Sequence, residues 1–234
     1  MNKRAIILAG GKGTRLRPYT MTLPKPLVPL GDKPILEIII NQLRKSGFNH
    51  VTITVNHMAD IIKAFFGDGS KWGITIDYTL EDKALSTMGP LTLVKDLPDN
   101  FLVMNGDVLT DLDFGSFYDN HIRNQSLFTI GAHRRKERID YGLLHIDEKQ
   151  LLTQFEEKPD YDFLVSMGIY MANKAILNHI PSDTFFGFDH LMYELLGIKK
   201  AVKVMEYDGY WLDIGRPSDY EIATQKINDP AFTL

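Results

Sequence analysis

From Leu8 to Pro18 the chain reads Leu-Ala-Gly-Gly-Lys-Gly-Thr-Arg-Leu-Arg-Pro, three glycines and two arginines that end an apolar run. Arg4 to Leu8 has the apolar density of a short buried strand. Glycines directly after such a strand let the backbone turn so that several N–H groups face one anion. Arg15 adds a planar fork suited to phosphate oxygens. Ten residues on, Pro24-Lys25-Pro26 holds a second cation on a stiff extended segment, because prolines on both sides restrict the lysine backbone. Two separated cationic devices point to a polyphosphate. A third feature complements them: Phe101 to Met104 runs as a buried strand into Asn105-Gly106-Asp107. A carboxylate just past a strand end, after a glycine that permits close backbone approach, is placed to hold Mg²⁺ against phosphates.

The glycine loop is not a P-loop, since no Gly-x-x-x-x-Gly-Lys-Ser/Thr spacing fits it, and Gly11-x-Gly13-x-x-Leu16 lacks the third glycine of a dinucleotide fingerprint. Together with Leu23-Pro-Lys-Pro-Leu-Val-Pro29, the loop resembles the signature of the sugar-1-phosphate nucleotidyltransferases. That resemblance implies a Rossmann-like domain binding a nucleoside triphosphate (NTP). It implies nucleotide contacts at Leu8, Ala9, Gly10, Gly11, Gly13, Thr14, Arg15 and Lys25, joined by Asn105 and Gly106. Leu85-Ser-Thr-Met-Gly89 stands where the family carries Leu-Gly-Thr-Ala-Gly facing the base, so Thr87 and Gly89 are carried over while Ser86 and Met88 depart.

Three later stretches resemble the family in its order: Tyr141-Gly142, Glu156-Glu-Lys-Pro159 and Ser166-Met-Gly-Ile-Tyr170. They imply sugar contacts at Gly142, Glu157 and Ser166, with Lys158 on the sugar phosphate. A carboxylate that accepts from vicinal hydroxyls beside an ammonium makes chemical sense for a sugar 1-phosphate. Trp211-Leu-Asp-Ile-Gly-Arg-Pro217 is similar to the family's Trp-x-Asp-x-Gly-x-Pro, and implies that Asp213 joins Asp107 as a ligand of a catalytic Mg²⁺. The catalytic set is then Arg15, Lys25, Asp107, Lys158 and Asp213. Asp140-Tyr-Gly, Leu164–Tyr170 and the Trp-Leu-Asp-Ile-Gly-Arg-Pro segment most resemble the mannose- or heptose-1-phosphate guanylyltransferase branch, with GTP as donor. Thymidylyl, uridylyl or cytidylyl transfer to another sugar 1-phosphate, and a non-catalytic nucleotide-sugar-binding subunit, are the alternatives. The family often forms homo-oligomers.

Composition bounds these readings. A chain of 234 residues with 44% apolar residues can bury a full core. Its net charge of −4 lacks the global basic field that nucleic-acid binding favours, so no nucleic-acid partner is expected. With no cysteine there are no disulfides, thiolate metal sites or cysteine nucleophiles. The apolar run after Met-Asn-Lys-Arg is too short for a signal peptide, and no membrane-spanning run of about eighteen apolar residues appears. A soluble, cytoplasmic protein is expected. No hexapeptide periodicity of an appended β-helix is present, and the resemblance covers nearly the whole length as a minimal catalytic unit.

The elements that must position these residues follow from periodicity. A helix opens at Pro34 with Ile35, Ile38, Ile39 and Leu43 on one face; His50–Val55 alternates as a strand; Ala59–Phe66 is a helix; Gly73–Tyr78 is a strand. This βαβαβ order predicts an α/β fold, a Rossmann-like, mostly parallel sheet with helices on both faces and ligands at the strands' carboxyl ends. A further helix is expected from Leu91, and one from Phe114 capped by Asp111 and Asp113. From Ser126 the pattern turns to strands: Leu127–Ala132, Gly142–Ile146, Leu151–Phe155 and Val165–Met171. These predict antiparallel additions forming a sugar-side lobe, with the charged run Arg134–Arg138 at a solvated hairpin tip. Asn173 caps a helix to Leu177, Phe188–Leu196 is helical, Ala201–Tyr207 is a strand, and Pro217 starts a last helix. The reading is one domain, 1–234, with a nucleotide half to about 125 and a sugar-phosphate half from about 126.

Overall fold

A computed structural model describes residues 3–56 and 58–232. In chain order the strands and helices are β1 (Arg4–Leu8), β2 (Pro29–Leu30), β3 (Lys33–Pro34), α1 (Ile35–Lys45), β4 (His50–Val55), α2 (Ala59–Phe66), β5 (Thr75–Leu80), β6 (Asn100–Asn105) and β7 (Val108–Thr110). Then come α3 (Phe114–Arg123), β8 (Phe128–Arg138), β9 (Gly142–Ile146), β10 (Leu152–Glu157), β11 (Asp160–Asn173), α4 (Phe188–Gly197), β12 (Lys203–Glu206), β13 (Trp211–Asp213) and α5 (Pro217–Ile227).

Seven strands form one sheet in the order β12-β8-β11-β6-β1-β4-β5. β1 pairs in parallel with both β4 and β6, and β4 in parallel with β5. β11 runs antiparallel between β6 and β8, and β12 is parallel to β8. The chain thus builds outward from β1 through β4 to β5, then crosses back to place β6 on the other side of β1. That reversal opens a crevice at the carboxyl ends of β1 and β6, where Leu8 and Asn105 lie side by side in register. β1 is apolar from Ala5 to Leu8 because both faces are covered. α1 and α3 bury Leu36, Ile39, Leu43, Phe114 and Phe117 on one face, and α4 buries Leu191 and Leu195 on the other.

Several expectations are corrected. Leu91 lies in a 3₁₀ turn, Gly89–Leu93, because the Met88 and Gly89 N–H groups are tied to the Phe186 carbonyl and the chain must re-enter the sheet at Asn100. Asn173 caps as expected, accepting from the Ala175 N–H at 3.0 Å, but what it caps is 3₁₀, Lys174–His179. Asp113 caps α3 by accepting from the Gly115 N–H, whereas Asp111 accepts from the Tyr207 hydroxyl and the Tyr210 N–H instead. Arg134–Arg138 is not a hairpin tip: it continues β8 as a paired strand, solvated as expected but held by β11. Of these expected additions, the antiparallel strands β8 and β11 extend the main sheet, while β9 and β10 form a separate ribbon. No helix among the described residues is long and apolar enough to cross a membrane.

One buried titratable group gives the fold a pH dependence. His121 on α3 is fully buried, with Nδ1 2.8 Å from Thr129 Oγ1 and Nε2 3.2 Å from Asn100 Oδ1. Burial pushes its pKa down to about 4. Between the ordinary value near 6.5 and about 4 the unfolded chain binds a proton that the folded chain refuses, so stability falls as pH drops through that window. The loss reaches as much as about 3 kcal/mol. Melting of the wild type between pH 7.5 and pH 4.5 should show it. His121→Leu, destabilised at every pH by its unpaired neighbours, should show a flatter slope there; an equal slope would remove His121 as the cause.

Candidate active site

The crevice at the β1/β6 switch point is a chain of three adjoining cavities. The central one, about 220 Å³, is lined by Leu8, Ala9, Gly11, Gly13, Thr14, Arg15, Lys25, Gly106 and Asp107, together with Pro26 and Gly215. Nearly the whole glycine-loop prediction converges here. Gly13 adopts φ +61°, the left-handed turn that brings the loop back on itself, and its carbonyl accepts from the Thr20 hydroxyl at 2.8 Å. Lys25 Nζ donates to Asp107 Oδ2, and both side chains are largely shielded.

Asp213 reaches this centre through a three-residue pairing. β13 runs antiparallel to β7 with Asp213 opposite Val108, and the Ile214 N–H donates to the Asp107 carbonyl at 3.0 Å. The two carboxylates predicted as a pair, over a hundred residues apart in sequence, are therefore neighbours. Burial pushes the Asp213 carboxyl pKa up and the Asp107 charge adds to this, while Lys25 and Arg15 pull it back. Asp107 Oδ1 is buried with no hydrogen-bond partner. No group of three or more His, Cys, Asp or Glu among the described residues could hold a metal, so any cation here has two carboxylates and must complete its shell from elsewhere. An orphaned carboxylate oxygen beside a second, electrostatically strained carboxylate fits a hard divalent ion with bound phosphates and waters.

A second cavity, about 330 Å³, shares Leu8, Gly11 and Asp107 with the first and is lined by Gly10, Thr54, Glu81, Ser86, Thr87 and Asn105. Thr87 Oγ1 accepts from the Phe188 N–H at 2.8 Å, and Gly89 is buried with its N–H bonded to the Phe186 carbonyl. Thr87 thus orients this loop against α4, and Gly89 packs it. Sequence reasoning missed Glu81. It is buried; burial raises its pKa and the Leu85 N–H offsets part of that rise. A side chain on Gly10 would come within 2.5 Å of Glu81 Oε1, so that glycine makes room for the acid. The available signal was half of the one used for Asp107: an acid just past the end of a parallel strand.

The expected sugar residues divide. Gly142 and Glu157 face each other across the β9–β10 ribbon, and a side chain on Gly142 would lie 3.4 Å from Glu157 Oε2. Lys158 follows in a left-handed backbone conformation, φ +46°, at the ribbon's end. The ribbon's His145–Glu156 and Thr153–His145 hydrogen bonds are internal to it. Ser166 stands on β11, its hydroxyl 3.1 Å from the Tyr170 hydroxyl. Gly168, at φ +70°, passes so close to Asn105 that any side chain would come within 2.6 Å of its amide. This ties β11 to the nucleotide-side loop.

The chain is similar to known proteins over nearly its whole length. A curated heptose-phosphate relative from Campylobacter jejuni, D-glycero-alpha-D-manno-heptose 1-phosphate guanylyltransferase, is 34% identical over 93% of this chain and 96% of its own. UTP--glucose-1-phosphate uridylyltransferase of Synechocystis is 32% identical and mannose-1-phosphate guanylyltransferase of Mycobacterium tuberculosis 31%. Over those two the chain spans 61% and 62% of the relative's length. A crystal structure of HddC from Yersinia pseudotuberculosis complexed with GMP-PN superposes with a TM-score of 0.72 at 27% identity, covering 96% of this chain and 99% of that one. Residues 4–230 match the family described as Nucleotidyl transferase, and the chain belongs to that family.

Proposed function

We propose that this protein transfers a nucleoside monophosphate from an NTP to a sugar 1-phosphate, with GTP and a mannose- or heptose-type sugar 1-phosphate as the substrates. The observation that carries the reaction class is the convergence of the glycine loop, Lys25 and Asp107 around one cavity at the switch point, with Asp213 brought beside Asp107 by the β13–β7 pairing. A phosphate oxygen of the sugar 1-phosphate attacks the α-phosphorus. A new P–O bond forms as the bond to the bridging oxygen of the β-phosphate breaks, and the electron pair leaves with pyrophosphate. The attacking dianion is already nucleophilic, so no protein base is needed. The work is positioning two polyanions and stabilising charge.

Loop N–H groups and Arg15 hold the β- and γ-phosphates, and Lys25 neutralises the phosphate oxygens nearest Asp107. When bound by Asp107 and Asp213, Mg²⁺ supplies the positive charge that lets the two phosphates approach. Gly142, Glu157 and Ser166 take the sugar hydroxyls, and Lys158 takes the sugar phosphate once the ribbon lies against the substrate.

Glu81 supports guanine as the base. A carboxylate only accepts hydrogen bonds, and guanine alone among the bases presents two adjacent donors, N1–H and the N2 amino group, on its pairing edge. GTP, UTP, CTP, dTTP and ATP should therefore be crossed with mannose, glucose and heptose 1-phosphates, with Mg²⁺ and with EDTA, and pyrophosphate release measured. GTP is expected to lead, and Glu81→Gln to lower its kcat/KM on the order of a hundredfold while sparing other nucleotides. Equal loss for all nucleotides would remove Glu81 from base reading. An inactive panel with intact nucleotide binding would favour the binding-only alternative.

A further inference from the structure

The ladder between β8 and β11 breaks at one place. Ser166 stands opposite Ala132 and Tyr170 opposite Ile130, so β11 advances four residues while β8 advances two. The surplus is a bulge at Met167 and Gly168, a device that re-aims side chains beside functional sites. On its other edge β11 runs antiparallel to β6 with Ile169 opposite Met104, and the next step of that register brings Gly168 to Asn105. Gly168 holds φ +70°. A Cβ built on it would stand 2.6 Å from Asn105 Nδ2 and 3.1 Å from Cγ, but 3.6 Å from the Asn105 Cβ. Only the amide end of Asn105 would be crowded.

The bulge itself is pinned from other sides. Trp211 Nε1 donates to the Met167 carbonyl at 2.9 Å, and the Gly168 N–H donates to Ser166 Oγ at 3.3 Å. Met167 is buried, and Gly131 on β8 leaves room for it, since a Cβ there would lie 3.5 Å from Met167 Sδ. Trp211 helps to line the third cavity, about 540 Å³, which adjoins the central one through Arg15 and Gly215. A side chain at position 168 would therefore displace the Asn105 amide and leave the bulge in place. Glycine inside a strand marks such a close approach. Asn105 lines the second cavity with Thr87 and Glu81, and its amide has no hydrogen-bond partner among the described residues. Its donors and acceptor are left for whatever fills that cavity.

We propose that Gly168 is a positioning residue for the nucleotide: having no side chain at the bulge, it lets the Asn105 amide stand at the cavity wall and bond the nucleoside part of the NTP. This rests on the nucleotidyl transfer proposed above. Gly168 touches no substrate and acts through Asn105.

Calorimetric titration of GTP, with UTP and CTP in parallel, into the full chain without sugar 1-phosphate reads binding without turnover. Asn105→Ala is expected to weaken the nucleotide that the wild type binds about tenfold, the size of one lost hydrogen bond. Gly168→Ala should weaken it by a similar factor. Gly168→Asn, whose residue type tolerates the left-handed region, should do the same with a smaller fall in melting temperature. The double variant Asn105→Ala/Gly168→Ala decides between positioning and mere packing. With the amide gone the added Cβ meets only an ordinary 3.6 Å contact, so the double variant should bind within about twofold of Asn105→Ala. Its melting temperature should still fall, since the backbone strain remains. Single-variant losses that multiply in the double variant overturn the proposal, because Gly168 then acts apart from Asn105. Unchanged affinity in Asn105→Ala, or in both Gly168 variants, overturns it as well. A wild type that binds none of the three nucleotides takes down the transfer reading and this inference together. Nucleotide binding with multiplying losses removes the positioning role alone.

Discussion

Replacing Lys25 by alanine is expected to lower kcat for pyrophosphate release by about three orders of magnitude. Lys25 sits in a 3₁₀ turn, Lys25–Leu27, between two prolines, so its backbone is held without help from a ligand. Its ammonium donates to Asp107 in a largely water-excluded setting, where the effective dielectric is low and a charge acts strongly on its neighbours. In the ligand-free protein that ammonium compensates Asp107. In the proposed transfer it faces the phosphates as charge spreads in the transition state. Removing it leaves the paired carboxylates opposing an incoming polyanion. Steady-state rates and circular dichroism on the purified variant check the expectation: a folded protein with a normal kcat would contradict the role. Lys25→Arg should recover little, since a planar fork cannot replace a compact ammonium between a carboxylate and a phosphate.

Asp213→Asn should separate function from stability. Turnover with Mg²⁺ is expected to fall at least about a thousandfold, because one carboxylate remains where the ion needs two. In EDTA, however, the variant should melt higher than the wild type. Ionised Asp213 is penalised by its burial and by Asp107, and a neutral amide of the same shape escapes both. Asp107→Asn makes the contrast, since it loses activity and also strips Lys25 of its partner, so it should melt lower. Mg²⁺ should raise the wild-type melting temperature and leave both variants unmoved. Equal Mg²⁺ stabilisation of Asp213→Asn would show that the ion does not use this carboxylate.

The local devices were legible because each is complete within a short stretch. The glycine loop and Asp107 after its strand each announce a backbone geometry that the neighbouring residues enforce, and the structure gathers them in one cavity with Lys25, which stands in a 3₁₀ turn and not on the extended segment expected of it. The β, α, β, α, β alternation likewise dictated parallel strands, since hydrophobic faces of period two and 3.6 have one compact way to cover each other. Glu81 was overlooked because an acid after a strand looks like any turn acid until Gly10 is seen to vacate space for it. Arg134–Arg138 was misplaced for a related reason: a charge run reads as a loop, and only fourteen residues of β11 show that it is a strand.

The amino-acid sequence by itself determined the groups on offer, a glycine loop with cations and carboxylates at strand ends, because those features depend on neighbours in the chain. Tertiary structure alone decided which distant groups meet. Asp213 joins Asp107 only through the β13–β7 pairing, and Gly168 meets Asn105 only through the register of β11 against β6. Register is a property of two strands at once, set by which faces the core can bury, and no single stretch of sequence contains it.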